Sequence, residues 1–193
     1  MNTNDSLPEL FKNLVSKRQS VRGYLPQPIE RDKLDRIIEA ARLAPSACNA
    51  QPWKFIVVDN PEMKNSIADA TSSRVLGMNH FTKQAPVHIV VILEGANFKS
   101  NFGSLAKRKY YPLMDIGIAV NHICLAATAE ELGSCIIGWF DEKRVKKILN
   151  IPRGKRPLLI ITLGYPSNQE IREKRRKTIE EIVGYNGYNG KTN

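Results

Sequence analysis

The segment 115–132 is apolar around nearly its whole circumference and rich in alanine. A helix without a polar face has to be covered on most sides, by its own chain or by a second subunit, so the fold must be built around it. Asn121 and His122 lie inside it and its length is short for a membrane span, which reads as a core helix. The run 87–93 adds a second constraint, because continuous β-branched residues mark a strand covered on both faces, hence a central one. With 193 residues, 42% of them hydrophobic, the chain can supply such a core.

The remaining elements arrange themselves around these two. Apolar spacing predicts amphipathic helices over 7–15 and 29–44, the second presenting Leu34, Ile37, Ile38, Ala41 and Leu43 mainly on one face and stopped by Pro45. Asn60-Pro61 is a helix start for 62–70, and Asp141 caps a short basic helix whose Val145, Ile148 and Leu149 face inward. Short strands are expected at 55–58, 135–137 and 158–163. Residues 46–52 form a polar, small-residue loop, and 94–112 lacks any period and reads as a lid carrying Tyr110 and Tyr111. Trp53 reads as packing. The whole is one mixed α/β domain over 1–183, without a repeat or a domain-breaking linker, followed by a flexible tail, 184–193.

Net charge is +10, from 29 basic and 19 acidic residues, which suits nucleic acid, anionic lipid or a phosphorylated ligand. The basic residues concentrate at 17–22, 107–109, 143–147, 153–156 and 172–177. Three cysteines, Cys48, Cys124 and Cys135, lack the spacing of a disulfide framework or zinc site, and His80, His88 and His122 lie in separate elements, so no metal is expected. Nothing marks Cys48 as an activated thiolate. Dinucleotide-binding, P-loop, zinc-protease and serine-hydrolase motifs are absent. Without a leader or membrane span, a cytoplasmic protein is the expectation.

Two motifs carry chemistry. Arg18-Gln19-Ser20-Val21-Arg22 displays two guanidinium groups and a hydroxyl in an extended turn, a donor set suited to a phosphate monoester, although a solvated basic turn has the same composition. Pro45-Ser46-Ala47-Cys48-Asn49-Ala50-Gln51-Pro52-Trp53 follows the next helix. In this order and spacing the chain resembles the nitroreductase family, whose members carry an R-R-S-x-R segment and then P-S-x-x-N-x-Q-P-W. The resemblance continues through Asp115-Ile116-Gly117, Gly133 to Gly138, Gly164-Tyr165-Pro166 and Lys174 to Lys177, so it spans nearly the whole chain.

That resemblance implies an α+β three-layer sandwich, a central mixed β-sheet flanked by helices, in an intertwined homodimer. It implies FMN as cofactor, with NADH or NADPH as hydride donor and a nitroaromatic, quinone or similar electron-poor small molecule as acceptor. Arg18, Gln19, Ser20, Arg22, Lys174 and Arg176 would hold the phosphate and ribityl side. Pro45, Ser46, Ala47, Asn49 and Gln51 of the other subunit would line the ring, and Ile136, Ile137 and Gly138 would run along the isoalloxazine, where a backbone N–H can reach N5. Asn79 and Lys83 are loosely spaced candidates for its pyrimidine edge. No catalytic side chain is expected, because the chemistry belongs to the cofactor. Three positions depart from the family pattern: Gln19 replaces a basic residue, Ile136 a frequent tryptophan, and Trp139 a frequent glycine. The alternatives are a flavin-binding or flavin-consuming protein of the same fold, and a basic nucleic-acid-binding domain, which lacks the aromatic stacking residues such proteins use. Neither nucleic acid nor membrane is an expected partner.

Overall fold

The computed structural model describes residues 6–72, 78–95 and 110–190. Its elements are α1 (Leu7–Lys17), α2 (Arg31–Arg42), β1 (Trp53–Val58), α3 (Pro61–Thr71), β2 (Val87–Leu93), α4 (Tyr111–Ala129), β3 (Gly133–Ile137), α5 (Glu142–Ile148), β4 (Arg156–Gly164) and α6 (Ile179–Ile182). The four strands form one sheet in the order β1-β2-β4-β3. Each neighbouring pair is antiparallel; the parallel character expected of a mixed sheet enters through an isolated bridge, Ser20 with Ser134.

β2 is central and buried on both faces, as its composition requires. Val87, Ile89 and Val91 point toward α2 and α4, where they pack with Leu34, Ile37, Ile116, Val120 and Ile123. Val90 and Ile92 point the other way, toward Ile67 of α3 and Val145 of α5. Helices therefore cover both faces of the sheet, giving three layers. Asn60 Oδ1 accepts from the Met63 N–H at 3.0 Å and Asp141 Oδ1 from the Arg144 N–H at 2.9 Å, the two caps read from sequence.

α4 begins earlier than its composition suggested. Tyr111 and Pro112 are its first residues, so they belong to a helix and not to a lid; residues 96–109 of that expected lid lie outside the described residues. By length and composition α4 could cross a membrane, yet Ile116, Ala119, Val120, Ile123 and Ala127 pack into the core, and His122 Nδ1 lies 3.0 Å from Ala40 O of α2. Its opposite side is an exposed apolar stripe of Leu113, Met114 and Ile118, at 49%, 53% and 40% exposure. Leu43, expected on the buried face of α2, follows the helix's last residue and is exposed. Within the tail, residues 184–190 close a small turn through Tyr185 N–H to Gly190 O at 3.1 Å and Gly190 N–H to Gly187 O at 3.1 Å.

Candidate active site

α1 ends at Lys17, and the chain then turns along the edge of the sheet. Ser20 pairs with Ser134, and the Val21 N–H donates to Ser134 O at 2.9 Å. So close an approach requires glycine at 133, because a Cβ there would lie 2.7–2.8 Å from Val21 Cβ, Cγ1 and Cγ2. The buried Tyr24 hydroxyl fixes the end of the turn, donating to Val21 O at 2.9 Å and lying 2.7 Å from Thr162 Oγ1. Burial raises its phenol well above the usual range.

The C-terminal arm returns to this turn from more than a hundred residues away. Gln19 Nε2 donates to Glu170 O at 2.8 Å, while Gln19 Oε1 accepts from Arg172 N and Nε, both at 3.2 Å. Arg172 Nη2 donates to Ser20 O at 2.6 Å, and Lys174 Nζ to Ser16 O. Gln19, expected as a phosphate donor, is thus engaged as the tie between the two segments, and Arg172, seen in sequence only as one of a basic run, is its counterpart.

Electrostatics shows the cations converging. Burial together with the charges of Arg18 and Arg176 lowers the Lys174 ammonium. Burial raises the Cys135 thiol of β3, against the pull of Arg22, the Ser20 hydroxyl, Arg18 and Arg172. None of Arg18, Arg22, Arg172, Lys174 and Arg176 is paired with a carboxylate among the described residues, whereas Arg36, Arg42 and Arg156 each are. Cations gathered without counter-charge repel one another, and an anion offering several oxygens relieves that repulsion while accepting their hydrogen bonds. The donor set fits the phosphate of FMN.

β3 is an edge strand, and beyond Ser134 its outer side takes no further strand among the described residues. Ile137 is buried, while Ile136 and Gly138 are exposed at its end. A Cβ on Gly138 would meet nothing nearer than Leu159 Cδ2 at 3.9 Å, so that surface is open to a flat ligand. Trp139 follows, 63% exposed, its carbonyl accepting from Asn79 Nδ2 at 3.4 Å. Asn79 also donates to Thr71 O at 3.1 Å, and Lys83 pairs with Asp69 at 2.6 Å, so both candidates for the pyrimidine edge have partners within the fold.

The 45–51 loop is locally strained. Cys48, Asn49 and Gln51 have φ of 52°, 51° and 45°, left-handed values that cost non-glycine residues on the order of 1 kcal/mol each. The loop's polar groups bond one another: Gln51 N–H donates to Ser46 Oγ at 3.0 Å, and Gln51 Nε2 to Asn49 Oδ1 at 3.1 Å. From outside, Asp115 Oδ1 accepts the Ala47 N–H at 3.1 Å. The Asp115 carboxyl is 4% exposed, and its Oδ2 has no hydrogen-bond partner among the described residues.

The structure brings Arg18, Ser20, Arg22, Lys174 and Arg176 together and sets Pro45, Ser46, Ala47, Asn49 and Gln51 apart from them. Asp115, which holds the loop, lies in the first turns of α4, whereas Ser134 follows soon after its last residue. The helix between is about 28 Å long for its 19 residues. Arg172 and Asp115 escaped sequence reading because their partners lie 152 and 68 positions away, and no local pattern reports such a contact.

A family model described as nitroreductase family matches residues 15–165. The chain is 30% identical to an NADH dehydrogenase of Thermus thermophilus, over 92% of this chain and 97% of that protein. It is 25% identical to iodotyrosine deiodinase 1 of Rattus norvegicus, over 90% of this chain and 68% of that protein. Among solved structures, an FMN-dependent nitroreductase from Clostridium difficile R20291 superposes with a TM-score of 0.73 at 28% identity, covering 91% of this chain and 98% of the other. The helix-covered sheet, the basic clasp and these similarities agree: the chain belongs to the nitroreductase family and is an oxidoreductase of that fold.

Proposed function

We propose that the protein is an FMN-dependent NAD(P)H oxidoreductase that reduces electron-poor small molecules of the nitroaromatic or quinone class, working as a homodimer with one flavin between the chains at each site. The observation that carries this reading is the gathering of five cations, without carboxylate partners among the described residues, at the junction of the 18–22 turn, β3 and the C-terminal arm. Two further features favour two chains. The polar 45–51 loop stands toward the opposite end of α4 from the clasp, and the exposed Leu113, Met114 and Ile118 stripe is an apolar surface of the kind a second subunit covers.

When bound, FMN supplies a carrier that takes up hydride from a nicotinamide and passes reducing equivalents to the acceptor. The chain's own residues bind and orient. Arg18, Arg22, Lys174 and Arg176 neutralise the phosphate, Ser20 adds a neutral donor, and Arg172 and Gln19 keep the arm seated. The end of β3 offers backbone groups and the open surface at Gly138 for the ring, and the partner's 45–51 loop lines its other side. No side chain is assigned a proton-transfer role. A relative named iodotyrosine deiodinase 1 supports extending this reductive chemistry to other aromatic compounds.

The test is a visible spectrum of the purified protein, release and identification of the chromophore, and anaerobic titration with NADH and NADPH. Bound FMN bleached by either nicotinamide is the expected result. A colourless protein that neither binds added FMN nor bleaches it sinks the reading.

A further inference from the structure

We infer that Asp115 is a positioning residue for the flavin: its carboxyl group, at the base of α4, holds the strained 45–51 loop in the shape that lines the ring. This rests on the functional reading above and assigns a determinant remote from the phosphate clasp.

The loop places three left-handed non-glycine residues within four positions, an arrangement that reverts to ordinary backbone geometry unless something external holds it. Two of its hydrogen bonds, Gln51 N–H to Ser46 Oγ and Gln51 Nε2 to Asn49 Oδ1, join the loop to itself and would travel with it. The Asp115 Oδ1 bond to the Ala47 N–H is different, because it ties the loop to a helix whose Ile116, Val120 and Ile123 are locked in the core. The Trp53 N–H of β1 holds the far end of the loop by donating to Gln51 O at 2.8 Å, and Asp115 is the point through which α4 sets the height and tilt of its near end. Asp115 is 4% exposed with Oδ2 unbonded among the described residues, a costly state for a polar group if packing were its whole purpose. Ser46, Ala47, Asn49 and Gln51 would meet the ring in the positions this bond dictates.

Because Asp115 acts on the ring side, its loss weakens FMN and riboflavin alike, whereas a clasp variant weakens FMN selectively. Asp115→Ala is expected to raise the dissociation constants of both flavins about tenfold, the scale of one lost hydrogen bond and a loosened loop, leaving the riboflavin-to-FMN ratio at the wild-type value. Ala47 amide exchange should speed up about tenfold or more in the ligand-free variant, with the amides of β2 unchanged. Asp115→Asn retains an acceptor for the Ala47 N–H, so it should stay within about threefold of wild type in both measurements.

The inference is overturned by an Ala47 amide that exchanges equally in wild type and Asp115→Ala, or by flavin affinities unaltered in that variant. It also fails if Asp115→Asn loses flavin as severely as alanine while Ala47 stays protected, since the carboxyl would then act by another route. Should Asp115→Ala not fold, full rescue by Asn still supports the acceptor role, and failure of Asn to bind flavin refutes it. Wild-type protein that binds neither flavin removes the functional reading itself, a result separate from wild-type and variant proteins binding alike.

Discussion

Replacing Gly133 by alanine should dislodge the basic turn without touching any of its cations. The new Cβ would sit 2.7 Å from Val21 Cγ2 and 2.8 Å from both Val21 Cβ and Cγ1, against about 3.5–4.0 Å for an unstrained carbon contact. Rotating the Val21 side chain cannot help, since its Cβ is among the clashing atoms. The segment must retreat by about 1 Å, which carries the 2.9 Å bond from Val21 N–H to Ser134 O beyond hydrogen-bond range. Overpacking of this kind costs about 1–3 kcal/mol of stability. If one charge-assisted bond from Arg18 or Arg22 to the phosphate is misaligned as a result, FMN affinity falls about tenfold to a hundredfold. Fluorescence titration of FMN and thermal unfolding would measure the two effects. Val21→Gly removes all three clashing atoms, so Gly133→Ala should cost little in that background, a coupling visible in a double-mutant cycle. Gly138→Ala is the comparison: with 3.9 Å of clearance it should leave the melting temperature unchanged. Wild-type FMN affinity in Gly133→Ala, or the same loss with and without Val21→Gly, would refute the reasoning.

Three further outcomes are expected. His88 is fully buried in β2, and burial, helped by the Lys64 ammonium and only partly offset by the backbone of Thr82, depresses it to about 4. Below its ordinary value of 6.5 the unfolded chain takes up the proton first, so its stabilising contribution is complete above that pH and is lost as pH falls toward 4, up to about 3 kcal/mol. Denaturant midpoints between pH 7 and 4 should fall less steeply in His88→Leu than in wild type, and parallel profiles would dismiss this group as the cause. Arg18→Ala should weaken FMN at least tenfold and flatten the salt dependence of binding, while Lys143→Ala on α5 should change neither, as read by titrations at two ionic strengths. Ile118→Asp, placed in the exposed stripe of α4, should yield monomers in sedimentation velocity and lose flavin with the partner's loop; a flavin-loaded monomer would contradict the two-chain site.

Local patterns made much of the fold legible. The β-branched run of β2 and the Asn60 and Asp141 caps report on residues within a few positions of themselves and appear where they were expected, and the apolar circumference of α4 marks a helix whose bounds, Tyr111–Ala129, lie a few residues before the expected 115–132. The start of α4 was displaced because Tyr110, Tyr111 and Pro112 look like loop, although proline suits a helix's first turn. The antiparallel pairing of all four strands depends on crossovers that composition does not encode. For the site, the segments were legible and the wiring was not. The spacing of Arg18, Ser20 and Arg22 revealed a set of donors, but a sequence position cannot show that Gln19 faces Glu170 and Arg172 rather than solvent. Asp115 read as the opening of a helix, and its grip on Ala47 is a property of tertiary packing alone.

The neutral residue at position 19 has a consequence for how the socket comes into being. A cation there would have joined the repulsion among its neighbours, leaving the arm to be recruited by each incoming anion. A carboxamide that clasps Glu170 and Arg172 through ordinary bonds seats the arm beforehand. Ligand then enters a preassembled receptacle, and the entropy of immobilising residues 168–176 is spent during folding instead of being charged to each encounter.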